Sequence, residues 1–201
     1  MIPASNHKPF VCWPVSLQVP GRPITFDRSR TALAQAAYIR RDRFELEGSQ
    51  ALDFTKRGGD LVGRVTVLGS NAPEWARSAY LRWKRSDEVS DLTGNPEDIR
   101  AWHVVADLPP TASAGGWIDR VTELVALALT PSGLADVAIH NPGGSVQPHA
   151  HILASSRVPC ENGAYGGVDY DMHFALDVAL RLVWREWLDE ESSLAEACHD
   201  V

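Results

Sequence analysis

The tightest constraint in this chain is a pair of short apolar runs, Ala135–His140 and His149–Ser155, separated by the Gly/Pro-rich stretch Asn141–Pro148. Each run is too short for a core helix and reads as a strand. A connection this short cannot carry a parallel crossover, so the two strands must pair antiparallel. Side chains alternate along a strand, which puts His149 and His151 on one face and Ala150 and Ile152 on the other. His140 ends the first strand, and a hairpin brings its imidazole beside the other two. Three neutral imidazoles suit a transition or borderline divalent metal better than Mg²⁺, and leave coordination positions for a substrate oxygen. The spacing equally fits two surface histidines on an edge strand beside an unrelated third, so pattern alone leaves both readings open.

The rest of the chain supplies the partners of that hairpin. Val11–Val19 is β-prone but broken by Pro14, which predicts an edge strand, and Pro20, Gly21 and Pro23 mark a loop after it. A helix is predicted over Ser29–Arg43, capped by Asp27 or Ser29. Lys56-Arg57-Gly58-Gly59 is a basic turn, and Leu61–Leu68 alternates as a strand. Pro73 opens a helix over Glu74–Lys84, residues 86–98 read as a polar surface loop, and Trp102–Leu108 as a strand stopped by Pro109-Pro110. Gly116–Leu129 has helical apolar spacing, residues 159–168 form a glycine-rich loop, and an acidic C-terminal helix spans 173–197 with Leu176, Leu180, Val183, Trp187 and Leu188 inward. The order β-α-β-α-β-α-β-β-α predicts an α/β (α+β) fold, a central antiparallel sheet with packed helices, in a single domain over 1–201.

No GxGxxG or GxxxxGK[ST] occurs, which removes dinucleotide and P-loop readings. Cys12, Cys160 and Cys198 are odd in number and far apart, so no disulfide framework or zinc knuckle is suggested. No apolar stretch approaches a bilayer span and the N-terminus lacks a signal-peptide core, so the expected location is the cytoplasm, without membrane contact. The net charge of −7 opposes nucleic-acid binding, which draws on Lys and Arg. The distribution is uneven, however. Residues 1–85 carry 14 Lys and Arg against 7 Asp and Glu, and residues 86–201 carry 5 against 19. A basic N-terminal part can face phosphates while the acidic remainder faces solvent.

Tyr38 sits on a small-residue helix beside Arg40, Arg41 and Arg43. A phenol attacks a phosphodiester when the phosphate is polarised and held in line, and the arginines are candidates to hold flanking phosphates, with Lys56 and Arg57. A packing tyrosine beside a basic helix end fits the same residues. Tyr80, Tyr165 and Tyr170 are alternatives, with Tyr165 the best placed for exposure in its glycine-rich loop. Among the other histidines, His7 and His199 lie near the chain ends, His173 at a helix start, and His103 on a strand.

Taken together, Ala36-Ala37-Tyr38-Ile39, Asp53-Phe54-Thr55-Lys56-Arg57-Gly58-Gly59, Asn71-Ala72-Pro73-Glu74-Trp75-Ala76, Asp107-Leu108-Pro109 and the histidine block resemble, in order, the MobA/MobL relaxases of mobilisable plasmids. The resemblance implies an HUH endonuclease sheet, a metal triad of His140, His149 and His151 holding Mn²⁺, Mg²⁺ or another transition metal, and Tyr38 as nucleophile. It implies nicking and rejoining of single-stranded DNA at a transfer origin, with accessory mobilisation or coupling proteins as further partners. Where relatives usually carry strand glutamates this chain has His103 and Val105, which makes His103 the candidate group behind the site. The competing reading is a DNA-binding or interaction module that kept the fold without the chemistry. A histidine-triad hydrolase needs a third alternating histidine, and position 153 is leucine.

Overall fold

The computed structural model describes residues 9–18, 30–46, 48, 50–110 and 112–199. His7, the Pro20–Pro23 loop and the candidate caps Asp27 and Ser29 lie outside these residues, as do the side chains of Cys198 and His199. Five strands form an antiparallel sheet: β1 (Phe10–Val15), β4 (Leu61–Leu68), β5 (Ala101–Asp107), β6 (Leu134–His140) and β7 (His149–Ser155), in the order β1-β5-β7-β6-β4. The Pro14-containing strand lies at an edge, where its missing N–H costs no ladder bond to a further strand. The β6–β7 hairpin forms as its spacing requires, with His140 opposite His149 and Ala138 opposite His151.

Helices cover both faces. On one face α1 (Ala32–Arg40) and α2 (Ala79–Thr93) pack over Val15, Ala101, Ala138 and Leu153. Ala32, Ala36 and Ala37 are fully buried, and their small side chains let α1 lie close against the sheet. On the other face α3 (Ala114–Ala128) and the C-terminal helical run pack over Trp102, Val104, Val137, Ile139 and Ile152. Being covered on both sides, β6 is buried along its whole length. Two small ladders complete the fold: β2 (Arg43–Phe44) with β3 (Leu52–Asp53), and β8 (Arg157–Pro159) with β9 (Tyr165–Val168).

Four expectations are corrected. The helix over Glu74–Lys84 is a 3₁₀ turn, Glu74–Arg77, followed by α2, whose N-cap Ser78 accepts from the Leu81 N–H. The predicted loop 86–98 is helical as far as Thr93. Some of its polar residues face inward: Ser86 and Ser90 are buried, and Asp87 accepts from the Ala32 and Leu33 N–H groups, while Glu88, Asp91 and Asn95 stay exposed. Asp87 thus caps α1 from another element, alongside the local cap Thr31. The glycine-rich segment 159–168 contributes to the β8–β9 hairpin. The last helix begins earlier, as α4 (Tyr170–Phe174), and passes through a π-helical stretch, Ala175–Leu180, into α5 (Arg181–His199). The wider π turn holds Met172, Leu176, Leu180 and Trp184 on the buried side, which leaves Val183 exposed, contrary to the regular helical spacing.

Candidate metal and nucleophile site

The face beneath α1 collects the chemically capable groups. Alternation along β5, β6 and β7 places His103, His140, His149 and His151 there, opposite the apolar face of Val104, Ile139, Ala150 and Ile152. Ring centroids lie 4.6 Å apart for His140 and His151, 5.0 Å for His149 and His151, and 5.7 Å for His140 and His149. One ring nitrogen from each falls within 4.8 Å of the others, a grouping that could hold one metal ion.

The other nitrogens are held from behind. His149 Nδ1 donates to the Gln147 carbonyl at 2.9 Å, and His140 Nε2 donates to the Ile39 carbonyl at 2.8 Å. His151 Nδ1 meets His103 Nε2 at 3.0 Å, while His151 Nε2 is buried with no hydrogen-bond partner. An orphaned buried imidazole nitrogen is costly, and ligation removes that cost. The donor set therefore fits a divalent metal. Such bracing is what fixes tautomer and ring orientation in metal sites.

Burial holds the His103, His140 and His151 rings neutral. Desolvation lowers the pKa of His103 to about 3. Desolvation, reinforced by the neighbouring imidazoles and Arg41, also pushes His151 down, and desolvation with Arg41 does the same to His140. In the unfolded chain the same imidazoles take protons below about pH 6.5. The unfolded state then binds more protons, so stability is lost as pH falls through that window. In urea denaturation with EDTA, the protein is expected to lose roughly 1–2 kcal/mol between pH 7 and pH 6. Asp87, whose carboxyl burial raises to about 6, acts with the opposite sign at and below that pH, so the slope is read above it. A flat profile would contradict neutral buried rings.

Tyr38 reaches the same place from α1. Its half-buried ring lies 5.9 Å from His151 and 6.5 Å from His140, and packs edge-on against Phe54 at 5.7 Å. The Arg41 guanidinium sits 4.5 Å from the Tyr38 ring centre. Arg41 ends α1 in the left-handed region, at φ 54° and ψ 38°, a strained conformation for a residue other than glycine. Its side chain forms a bidentate pair with Asp60 at 2.9 and 2.6 Å, donates to the Tyr38 carbonyl at 2.7 Å and approaches His140 Nδ1 at 3.2 Å. The hydrogen bond from Arg41 holds the Asp60 carboxyl below the usual carboxylate range.

The expected phosphate-binding cations fall into two groups. Arg41 is buried, and Arg40 donates to Asp136 at 2.8 Å and to Asp42 at 3.0 Å, so both are committed inside the protein. They differ in this from the exposed cations that the sequence suggested, because each meets a carboxylate far away in the chain. Arg43 is exposed and paired with Glu45; Lys56 and Arg57 are exposed on the 3₁₀ turn Thr55–Asp60, and Arg57 lies over Phe54. His103 stands behind His151, with its Nε2 3.0 Å from His151 Nδ1. Tyr165, expected to be exposed, is buried against Trp75, and burial raises its pKa. Sequence reasoning gave no site role to Asp60, which is not part of a recognisable motif, or to Asp107, quoted only as the start of the Leu-Pro block, which lies directly opposite His149 on β5.

An antiparallel sheet with a histidine triad and a tyrosine helix over one face defines a relaxase-like class of protein. A solved structure described as the molecular basis of vancomycin resistance transfer in Staphylococcus aureus shares the fold, with TM-score 0.67 and 18% identity over 90% of this chain and 88% of that one. The sequence profile of the MobA/MobL family matches residues 30–172, so the chain belongs to the MobA/MobL family of mobilisation relaxases. A search of curated proteins finds no match. Among the described residues, no helix is long and apolar enough to cross a membrane.

Replacing His149 is the cleanest test of the triad, because it is half-buried at a strand start. His149→Ala is expected to abolish stoichiometric Mn²⁺ or Co²⁺ binding after dialysis while costing less than about 1 kcal/mol of stability. Metal content unchanged from wild type would exclude His149 as a ligand.

Proposed function

We propose that this protein nicks and rejoins one strand of DNA at a plasmid transfer origin by tyrosine transesterification. The observation that carries the reading is the convergence of Tyr38 with His140 and His151 within one ring contact of each other. His140, His149 and His151 would hold a divalent ion, which supplies Lewis-acid polarisation of the scissile phosphate. Three imidazole donors favour Mn²⁺ or a later transition ion over Mg²⁺. Tyr38 Oη forms the new P–O bond, the P–O3′ bond breaks, and a 5′-phosphotyrosine and a free 3′-hydroxyl result. The ester conserves the bond, so religation needs no nucleotide cofactor. Arg41, fixed by Asp60, lies over the Tyr38 ring and donates to the Tyr38 carbonyl, which holds the phenol in place and lowers the cost of reaching the in-line geometry. Arg43, Lys56 and Arg57 remain on the surface for phosphates, while accessory mobilisation proteins would bring the complex to its origin.

Because the tyrosine keeps the 5′ end, the adduct carries a 3′ label. A 3′-labelled single-stranded random pool incubated with Mn²⁺ is expected to give an SDS-stable adduct that EDTA prevents, and sequencing the captured strands yields the nick site. Binding of the pool without any adduct would favour the non-catalytic DNA-binding module instead.

A further inference from the structure

Trp13 is an exposed aromatic side chain that neither the core nor the proposed chemistry uses. Trp13 lies on edge strand β1 directly opposite His103, hence on the triad's face of the sheet. Its ring is 4.6 Å from that of His103, whose Nε2 meets His151 at 3.0 Å, so a single imidazole separates the indole from a proposed metal ligand. Two residues along, Val15 is buried beneath α1, whereas Trp13 lies past that cover and is 38% exposed. The other six tryptophans are buried or half-buried. Val11 and Val105, paired across the ladder and half-buried, continue the same face. The result is an uncharged shelf at the rim of the site, with an open indole supported from beneath.

We infer that Trp13 is a stacking platform for a base next to the scissile phosphate, an assignment that rests on the DNA reading above. Exposed aromatic rings beside a phosphate-binding centre are what single-stranded nucleic acid requires, because every base offers a π-face and stacking tolerates any sequence. The indole can order one nucleotide flanking the nick while the surface cations track the backbone. Stacking neutralises no phosphate, so this contribution is independent of salt.

The test uses a dye-labelled oligo-dT strand and the full chain, in EDTA. Wild-type protein is expected to bind with quenching of tryptophan fluorescence. Trp13→Ala should weaken binding roughly 5- to 100-fold with an unchanged salt slope, and Trp13→Phe should recover most of the affinity while losing the quench. Thermal midpoint and Mn²⁺ content report whether the variants fold, and Trp13→Phe carries the test if Trp13→Ala does not. Wild-type binding with equal affinity in Trp13→Ala, or a quench that survives in Trp13→Phe, overturns this assignment alone. Wild-type protein that does not bind oligo-dT overturns the DNA reading with it.

Discussion

Tyr38→Phe is expected to abolish the SDS-stable protein–DNA adduct while leaving metal content and single-strand affinity at wild-type levels. The substitution removes only the phenolic oxygen. The Phe54 edge contact, the Arg41 guanidinium over the ring and the spacing to His140 and His151 all involve the ring itself and persist. Removing a covalent nucleophile costs on the order of 10⁴-fold or more in turnover, so no adduct should be detectable. Stability should move by no more than about 0.5 kcal/mol, since the residue is half-buried and the change is small. The other tyrosines offer no replacement at this position: Tyr165 is buried against Trp75, Tyr80 packs on Phe44, and Tyr170 is exposed on α4. A sequenced adduct on any of them, or nicking that survives in Tyr38→Phe, would overturn the assignment.

Asp136→Ala should destabilise the fold by about 3–5 kcal/mol, the cost of leaving buried cations without their counter-charge. Asp136 is fully buried on β6 and accepts from Arg40 at 2.8 Å, Arg82 at 2.7 Å, Thr66 at 2.8 Å and Trp83 at 2.6 Å. It ties the C-terminal end of α1, the N-terminal part of α2 and strand β4 to one inner strand of the sheet. Burial alone would raise its pKa, but Arg82 and Arg40 outweigh burial and hold it below the usual range. Its contribution is therefore present above the unfolded value near pH 3.9 and is lost as pH falls through the folded one. The midpoint of thermal unfolding near neutral pH should fall by roughly 6–20 °C. Thr66→Val removes one neutral hydroxyl, which donates to Asp136 and accepts from Arg82 at 3.3 Å, and should cost about 1 kcal/mol, which separates loss of the charge from loss of neutral hydrogen bonding. An Asp136→Ala variant within 1 °C of wild type would show that the four-way contact contributes nothing net.

Asp136 also marks where reading the sequence stopped. It sits inside the apolar run Leu134–His140, where nothing local distinguishes a buried counter-ion from a polar interruption. Its partners are Arg40 and Arg82, 96 and 54 residues away. Seen along the chain, Arg40 and Arg41 were simply basic residues closing a helix beside a tyrosine. Ser86, Asp87 and Ser90 likewise looked solvated because they are polar, yet Ser86 and Asp87 bond to Arg100 and the start of α1, and Ser90 is buried.

Local pattern sufficed for the hairpin and for the face on which His149 and His151 lie. Strand alternation has a period of two and is a local property of the backbone, and the short loop forces antiparallel pairing. Local pattern also determined that Tyr38 rides on a small-residue helix, since helical spacing is equally local. That His103 stands behind His151, that Arg41, paired with Asp60, lies over the Tyr38 ring, and that Arg40 turns inward to Asp136 follows from the assembled fold alone. Those contacts join strands and helices far apart in the chain. Whether a charged side chain faces water or a buried partner depends on which elements the fold brings together, and no local period carries that information.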